Sequence, residues 1–299
     1  MQNPHPGLPE IEYIKPASLE EASKFLAAHA GEARPFLGGT DTFVRLRDGA
    51  WKDKYLVDVK GLDGTAQVSF DPEKGLTIGA GVAMNRVEAM PEVREHYPLL
   101  AEAIRTVASY QLRNRATIVG NICNASPAGD TIGACMLYGG VLKVFGADGV
   151  REEPLDTFFK GPGKTNLKPG DIALSLTLPL PPRGHVGRYI KVARNKLGDL
   201  AIVGVSVLAY PDATLASGYR FLIALASVAP VPLRVPAAEK VLAEKTIDEA
   251  TIAEAAQIAM DSCSPIDDVR GSAQYRKLMV RNMTRRALTE VWQKLTQAA

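Results

Sequence analysis

The last third of the chain sets out its patterns in blocks. Strand-like stretches at 187–193, 201–210 and 219–228 come first, and helix-like stretches at 237–243, 248–260 and 274–297 follow. Strands gathered ahead of helices give an α+β order and exclude the alternating order of a parallel α/β sheet. The proline-rich residues 179–182, just upstream, read as a boundary between two domains, 1–178 and 183–299. With 299 residues, 46% of them hydrophobic, the chain is long enough to bury one large core, and length alone leaves one, two or three domains open.

The first part is more finely divided. Ser18 stands where an N-cap belongs, Glu21 sits at the capping-box position, and Leu19, Ala22, Phe25 and Leu26 share one helical face, so 18–29 is expected to be a short amphipathic helix. A strand at 34–37, a turn at 38–41 and a helix at 42–47 come next. Short strands at 55–59, 66–70 and 76–78 are followed by a helix at 84–90 that ends at Pro91, and by a second at 99–109. Further strands are expected at 141–145 and 171–179, on either side of the turn at Asp148-Gly149.

Two glycine-punctuated turns carry the polar chemistry. Gly38 and Gly39 lack a Cβ, so the backbone is free to take positive φ and to present N–H groups to an anion, with the Thr40 and Thr42 hydroxyls and the start of the next helix beside them. The second stretch, Ala116-Thr117-Ile118-Val119-Gly120-Asn121-Ile122-Cys123-Asn124-Ala125-Ser126-Pro127-Ala128-Gly129-Asp130, is read as a loop, because Gly120, Pro127 and Gly129 oppose a long helix. It offers the Thr117 and Ser126 hydroxyls, the Asn121 and Asn124 amides, and Asp130 as an acceptor for a ribose or ring N–H. Two such loops are suited to clamping one dinucleotide. Gly79-Ala80-Gly81 lacks the third glycine of a Rossmann fingerprint, and no phosphate-binding Gly-x-x-x-x-Gly-Lys-Ser/Thr stretch occurs.

Other chemistries find little support. Thirty-five basic against thirty-three acidic residues leave a net charge of +2, too small a field to gather nucleic acid, and the basic face of 275–286 has its apolar residues at helical spacing, as a packed helix would. Cys123, Cys135 and Cys263 are too few for a disulfide framework, a zinc site or a four-cysteine cluster. Residues 1–9 lack the pattern of an export signal and no run of about 18 apolar residues occurs, so a cytoplasmic protein with no membrane span is expected.

Gly-Gly-Thr-Asp at 38–41, together with Thr-Ile-Val-Gly-Asn-Ile-Cys-Asn-Ala-Ser-Pro-Ala-Gly-Asp-Thr at 117–131, resembles the FAD-binding medium subunits of molybdenum hydroxylases of the xanthine dehydrogenase and carbon monoxide dehydrogenase type. The resemblance implies a two-lobed α+β FAD-binding domain of the alcohol-oxidase type, then a C-terminal domain with a three-stranded antiparallel sheet and helices. It implies FAD held by Leu37, Gly38, Gly39, Thr40, Asp41 and Thr42 on one side and by Thr117, Gly120, Asn121, Asn124 and Asp130 on the other. Val107 and Ala108 are lesser contacts, Leu174 packs near the flavin ring, and Lys191 is the basic residue beside it. Leu200 stands where some relatives carry an aromatic residue. The implied partners are a small subunit with [2Fe-2S] clusters and a large molybdenum-pterin subunit, in a dimer of heterotrimers that passes electrons to an external acceptor. A reductase branch of the family adds four cysteines for a further cluster, which this chain lacks. The competing reading is a self-sufficient FAD oxidase of the related fold, for which His5, His29, His96 and His185, all outside the two loops, offer no flavin-linking residue.

Overall fold

The computed structural model describes residues 7–195 and 198–298; His5 and the first six residues of the 1–9 segment lie outside them. Three strands open the fold. Tyr55–Asp58 lies in the middle of a small sheet and pairs parallel with both Glu12–Ile14 and Ala33–Phe36. Parallel strands need a crossover, and the helix Leu19–Ala28 makes the one between the two outer strands, with Ser18 Oγ accepting the Glu21 N–H and Glu21 Oε2 accepting the Ala17 N–H. Its Ala22 and Leu26 are buried against Val57, Val59 and Leu174. A turn at 37–41 then leads into the six-residue helix Thr42–Arg47.

The second sheet is antiparallel throughout, in the order Val68–Asp71, Gly75–Gly79, Ile172–Leu178, Val141–Gly146, Gly149–Pro154. Helices fill the long excursion between its second and fourth strands. The expected helix 84–90 is shorter, Met84–Glu88, and Pro91 opens another, Pro91–His96, because the missing proline N–H costs nothing in a first helical turn. Pro98–Thr106 follows and stops at Val107, with Ala108 in the left-handed region at φ +44°.

The stretch read as a loop at 116–130 is helical over Ile118–Asn124 and non-helical at 125–129. Ile118–Asn124 forms two turns capped by Thr117, whose Oγ1 accepts the Gly120 N–H at 3.0 Å, and the chain leaves it through Ala125 at φ +48°. Burial of Ile118, Val119 and Ile122 outweighs the propensity cost of Gly120. Asp130–Leu137 then forms a helix in which all eight residues are buried.

The C-terminal part has the antiparallel strands Val186–Val192, Val203–Pro211 and Tyr219–Ala226, joined at the edge by a two-residue strand, Leu233–Arg234, that the sequence pattern did not reveal. The helices Pro236–Glu244, Glu249–Asp261 and Ala273–Ala298 share a core with this sheet, built on Val203, Val205, Val207, Phe221, Ile223, Ala255, Val280 and Leu288. Arg276 is 1% exposed within it. Its Nη1 donates to the carbonyls of Ile202 at 2.8 Å and Ser227 at 3.0 Å, and Nη2 pairs with Asp268 Oδ1 at 2.6 Å.

The two parts meet over Asp130–Leu137. A Cβ on Gly133 would stand 2.7 Å from Ser206 Oγ, so only glycine allows this helix to lie so close to the C-terminal sheet. Tyr189, Leu208 and Ala224 from that sheet belong to the same buried cluster as Leu76, Ile104 and Ile132.

Candidate functional site: a two-walled cleft

A cleft of about 480 Å³ runs between the turn at 37–42 and the helix Ile118–Asn124. Leu37, Gly38, Gly39, Thr40, Asp41 and Thr42 line one side; Thr117, Gly120, Asn121, Asn124 and Asp130 line the other, with Val107 and Ala108 between them. The walls are joined directly, because Asn124 Nδ2 donates to Asp41 Oδ2 at 3.1 Å.

The glycines of the first wall turn out to serve the protein side. Gly39 has φ +73°, and a Cβ there would meet the Phe36 ring at 2.6 Å. A Cβ on Gly38 would lie 2.2 Å from the carbonyl oxygen of Arg115, so Gly38 seats the turn against the segment that enters the second wall. Among the described residues, none of the five backbone N–H groups of 38–42 donates a hydrogen bond, and neither do the Thr40 and Thr42 hydroxyls. Buried or half-buried N–H groups normally find acceptors, and a consecutive run of free donors fits an anionic group such as a pyrophosphate.

On the second wall, Thr117 Oγ1 accepts the cap N–H and Asn121 Oδ1 accepts the Thr131 hydroxyl at 2.9 Å, while the NH2 end of cleft-lining Asn121 has no acceptor among the described residues. Asp130 is more constrained than a free acceptor would be. Its Oδ1 accepts the Tyr189 hydroxyl at 2.6 Å and its Oδ2 pairs with Lys191 Nζ at 2.8 Å. Burial pushes the Asp130 carboxyl up, opposed by Lys191 and Tyr189, and burial beside Asp130 drives the Tyr189 hydroxyl well above its ordinary value.

Two residues expected at the cofactor stand behind the wall. Lys191 is not part of the cleft lining; its side chain is 9% exposed and Nζ also donates to Thr106 O at 3.0 Å. Leu174 falls at a break in register between Ala173 and Ser175, and it packs into the core with Ala22 and Val57 while Ile172 and Ala173 face the cleft. Leu200, 56% exposed, lies at the rim.

The sequence pattern missed other lining groups. Arg45, Leu112 and Cys123 line the cleft, as do Arg34 and Trp51, whose guanidinium and ring stack 3.6 Å apart. Arg34 lies in a strand and Arg45, Leu112 and Cys123 in three different helices, so they carry no shared local signature. Among the described residues no group of three or more His, Cys, Asp or Glu is placed to hold a metal ion, and no helix is long and apolar enough to cross a membrane.

Comparison with known proteins agrees with this geometry. Residues 9–181 match the family described as the FAD binding domain in molybdopterin dehydrogenase, and residues 188–291 match the CO dehydrogenase flavoprotein C-terminal domain. The chain is 31% identical to the carbon monoxide dehydrogenase medium chain of Hydrogenophaga pseudoflava, over 95% of this chain and 98% of that one. It is 26% identical to the xanthine dehydrogenase FAD-binding subunit of Escherichia coli O157:H7, over 93% and 94% of the two chains. A solved carbon monoxide dehydrogenase structure from Hydrogenophaga pseudoflava superposes with a TM-score of 0.90 at 30% identity, covering 96% of this chain and 99% of that one. Quinoline 2-oxidoreductase from Pseudomonas putida 86 gives 0.87 at 27% identity, covering 96% and 99%. The chain therefore belongs to the family of FAD-binding medium subunits of molybdenum hydroxylases of the carbon monoxide and xanthine dehydrogenase type.

Proposed function

We propose that FAD occupies the cleft between 37–42 and Ile118–Asn124, and that this chain passes electrons between [2Fe-2S] clusters of a small partner subunit and an external acceptor. The complex is completed by a large molybdenum-pterin subunit, as a cytoplasmic dimer of heterotrimers. The division of the chain into 1–178, which holds FAD, and 183–299, which closes over it, belongs to the same reading.

The observation that carries it is the run of five N–H groups at 38–42 without acceptors among the described residues, on the wall of a cleft that Asn121 also lines and that Asn124 and Asp41 pin. Bound FAD supplies the redox chemistry; the protein supplies binding, orientation and electrostatics. Residues 38–42 hold the pyrophosphate through backbone N–H groups and the threonine hydroxyls. Asn121 donates from the opposite wall. Leu37, Val107, Leu112 and Leu200 give the apolar surface that shields a flat ring from water.

The test is to purify the chain with its co-expressed neighbouring subunits and record the visible spectrum. Flavin absorption with iron–sulfur and molybdenum subunits in the same fraction is expected, and absence of all three rejects the proposal. Gly39→Val and Asn121→Leu are each expected to give a folded chain that has lost FAD. Full retention of FAD by both variants places the cofactor elsewhere.

A further inference from the structure

We infer that Asp130 and Tyr189 mask the charge of Lys191 behind the wall of the cleft, so that a bound flavin faces a neutral, fixed ion pair in place of a free cation. This rests on the reading that FAD occupies the cleft. It departs from the simple expectation that a lysine beside the flavin acts by its positive charge.

The geometry has three parts. Asp130 is the cleft-lining member, 6% exposed, with one carboxylate oxygen on Lys191 Nζ at 2.8 Å and the other on the Tyr189 hydroxyl at 2.6 Å. Lys191 is fixed from the far side as well, since Nζ donates to Thr106 O, at the end of the helix that delivers Val107 and Ala108 to the cleft. Tyr189 is held by its own backbone, whose N–H donates to Glu102 Oε2 at 2.7 Å. Space for its hydroxyl is provided by Gly204, the strand partner of Lys191, where a Cβ would lie 2.9 Å from the tyrosine oxygen. The next charged groups outward, Glu102, Arg188 and Glu290, pair among themselves.

A cation and an anion within hydrogen-bonding distance act at a distance as a dipole, and the field of a dipole falls off faster than that of a single charge. Lys191 alone would favour the reduced, more negative flavin; paired with Asp130 it does so far less. Asp130 masks only while ionised and turned toward Nζ. Burial works against its ionisation, and the Tyr189 hydroxyl is the second donor that favours it and fixes the carboxylate plane. Tyr189 is therefore a positioning residue that acts on the flavin through Asp130, although it does not line the cleft.

The experiment is a redox titration of the flavin in the purified complex, on wild type, Tyr189→Phe and Asp130→Asn, with thermal unfolding of each recorded alongside. Asp130→Asn unmasks Lys191 and is expected to shift the midpoint potential upward. Tyr189→Phe keeps the ring and its packing and is expected to shift the potential the same way by a smaller amount, and so carries the test if Asp130→Asn does not retain FAD. A wild-type potential in Tyr189→Phe, with only a lowered melting temperature, would make Tyr189 a structural latch and overturn its role. A wild-type potential in Asp130→Asn would overturn the masking itself. A wild-type complex that binds no flavin would instead reject the proposed function, an outcome distinct from either.

Discussion

Gly38 and Gly39 are adjacent and chemically identical, yet their surroundings assign them different tasks. At Gly38 the obstacle to a Cβ is the backbone carbonyl of Arg115; at Gly39 it is the far end of the buried Phe36 side chain. Gly38→Ala is expected to cost about 1–3 kcal/mol in denaturant unfolding through overpacking, and to loosen FAD by prising the two walls apart. Gly39→Ala adds strain at positive φ, about 1 kcal/mol, together with a shift of the Phe36 ring end, and is expected to cost less than Gly38→Ala because a side chain yields where a backbone carbonyl does not. Equal losses in the two variants would count against this difference. The glycine pair was visible in the sequence as a turn beside a binding wall. That Gly38 touches Arg115, 77 positions away, was not, because a missing Cβ signals room without saying whose.

At the level of elements, the stretch 116–130 shows where local propensity yields to packing. Gly120, Pro127 and Gly129 argue for a loop, while Ile118, Val119 and Ile122 lie on one face of a helix whose burial prevails. Thr117 is its cap, so Thr117→Ala is expected to lose about 1 kcal/mol of stability and Thr117→Ser to recover most of it, by urea unfolding. Its oxygen accepts the cap hydrogen bond while the residue lines the cleft, and a loop assignment conceals the capping use. The loop before the last helix depends on a similar commitment. Asp268 accepts from Arg270 and from buried Arg276, and these donors, Arg270 first, hold its carboxyl well below the usual carboxylate range. The stabilisation this gives is complete above the unfolded carboxylate value, near pH 4, and is lost as pH falls toward the depressed native value. Asp268→Asn is expected to cost about 3 kcal/mol at pH 7, because it leaves the Arg276 charge buried with no counter-charge. The variant is also expected to lose Asp268's share of the fall in stability expected below pH 4.

For the whole molecule, the strand-then-helix order of the last third was legible because each element there is long and periodic. The contact between the two parts was not, since it combines small residues that carry little pattern, Gly133 against Ser206 and Ala224, with pairs far apart in sequence, Tyr189 and Lys191 on Asp130. Because Tyr189, Leu208 and Ala224 share a core with the first part, the chain is expected to unfold in one step. The two tryptophans allow a direct check: Trp51 lies beside the cleft and Trp292 in the last helix, so Trp51→Phe and Trp292→Phe each leave one reporter on one part. Coincident fluorescence midpoints, each referred to the variant's own far-UV transition, are expected; separated midpoints would show two independent folding units.

The wholly buried helix Asp130–Leu137 begins at the cleft and ends between the sheets. A ligand that steadies its first residue steadies the seam along the rest of its length, and binding to the native state alone raises stability by mass action. Cofactor occupancy thus becomes a form of quality control. A chain that has not acquired FAD is expected to open more often in both parts together, exposing itself to proteases, while the loaded chain is protected throughout.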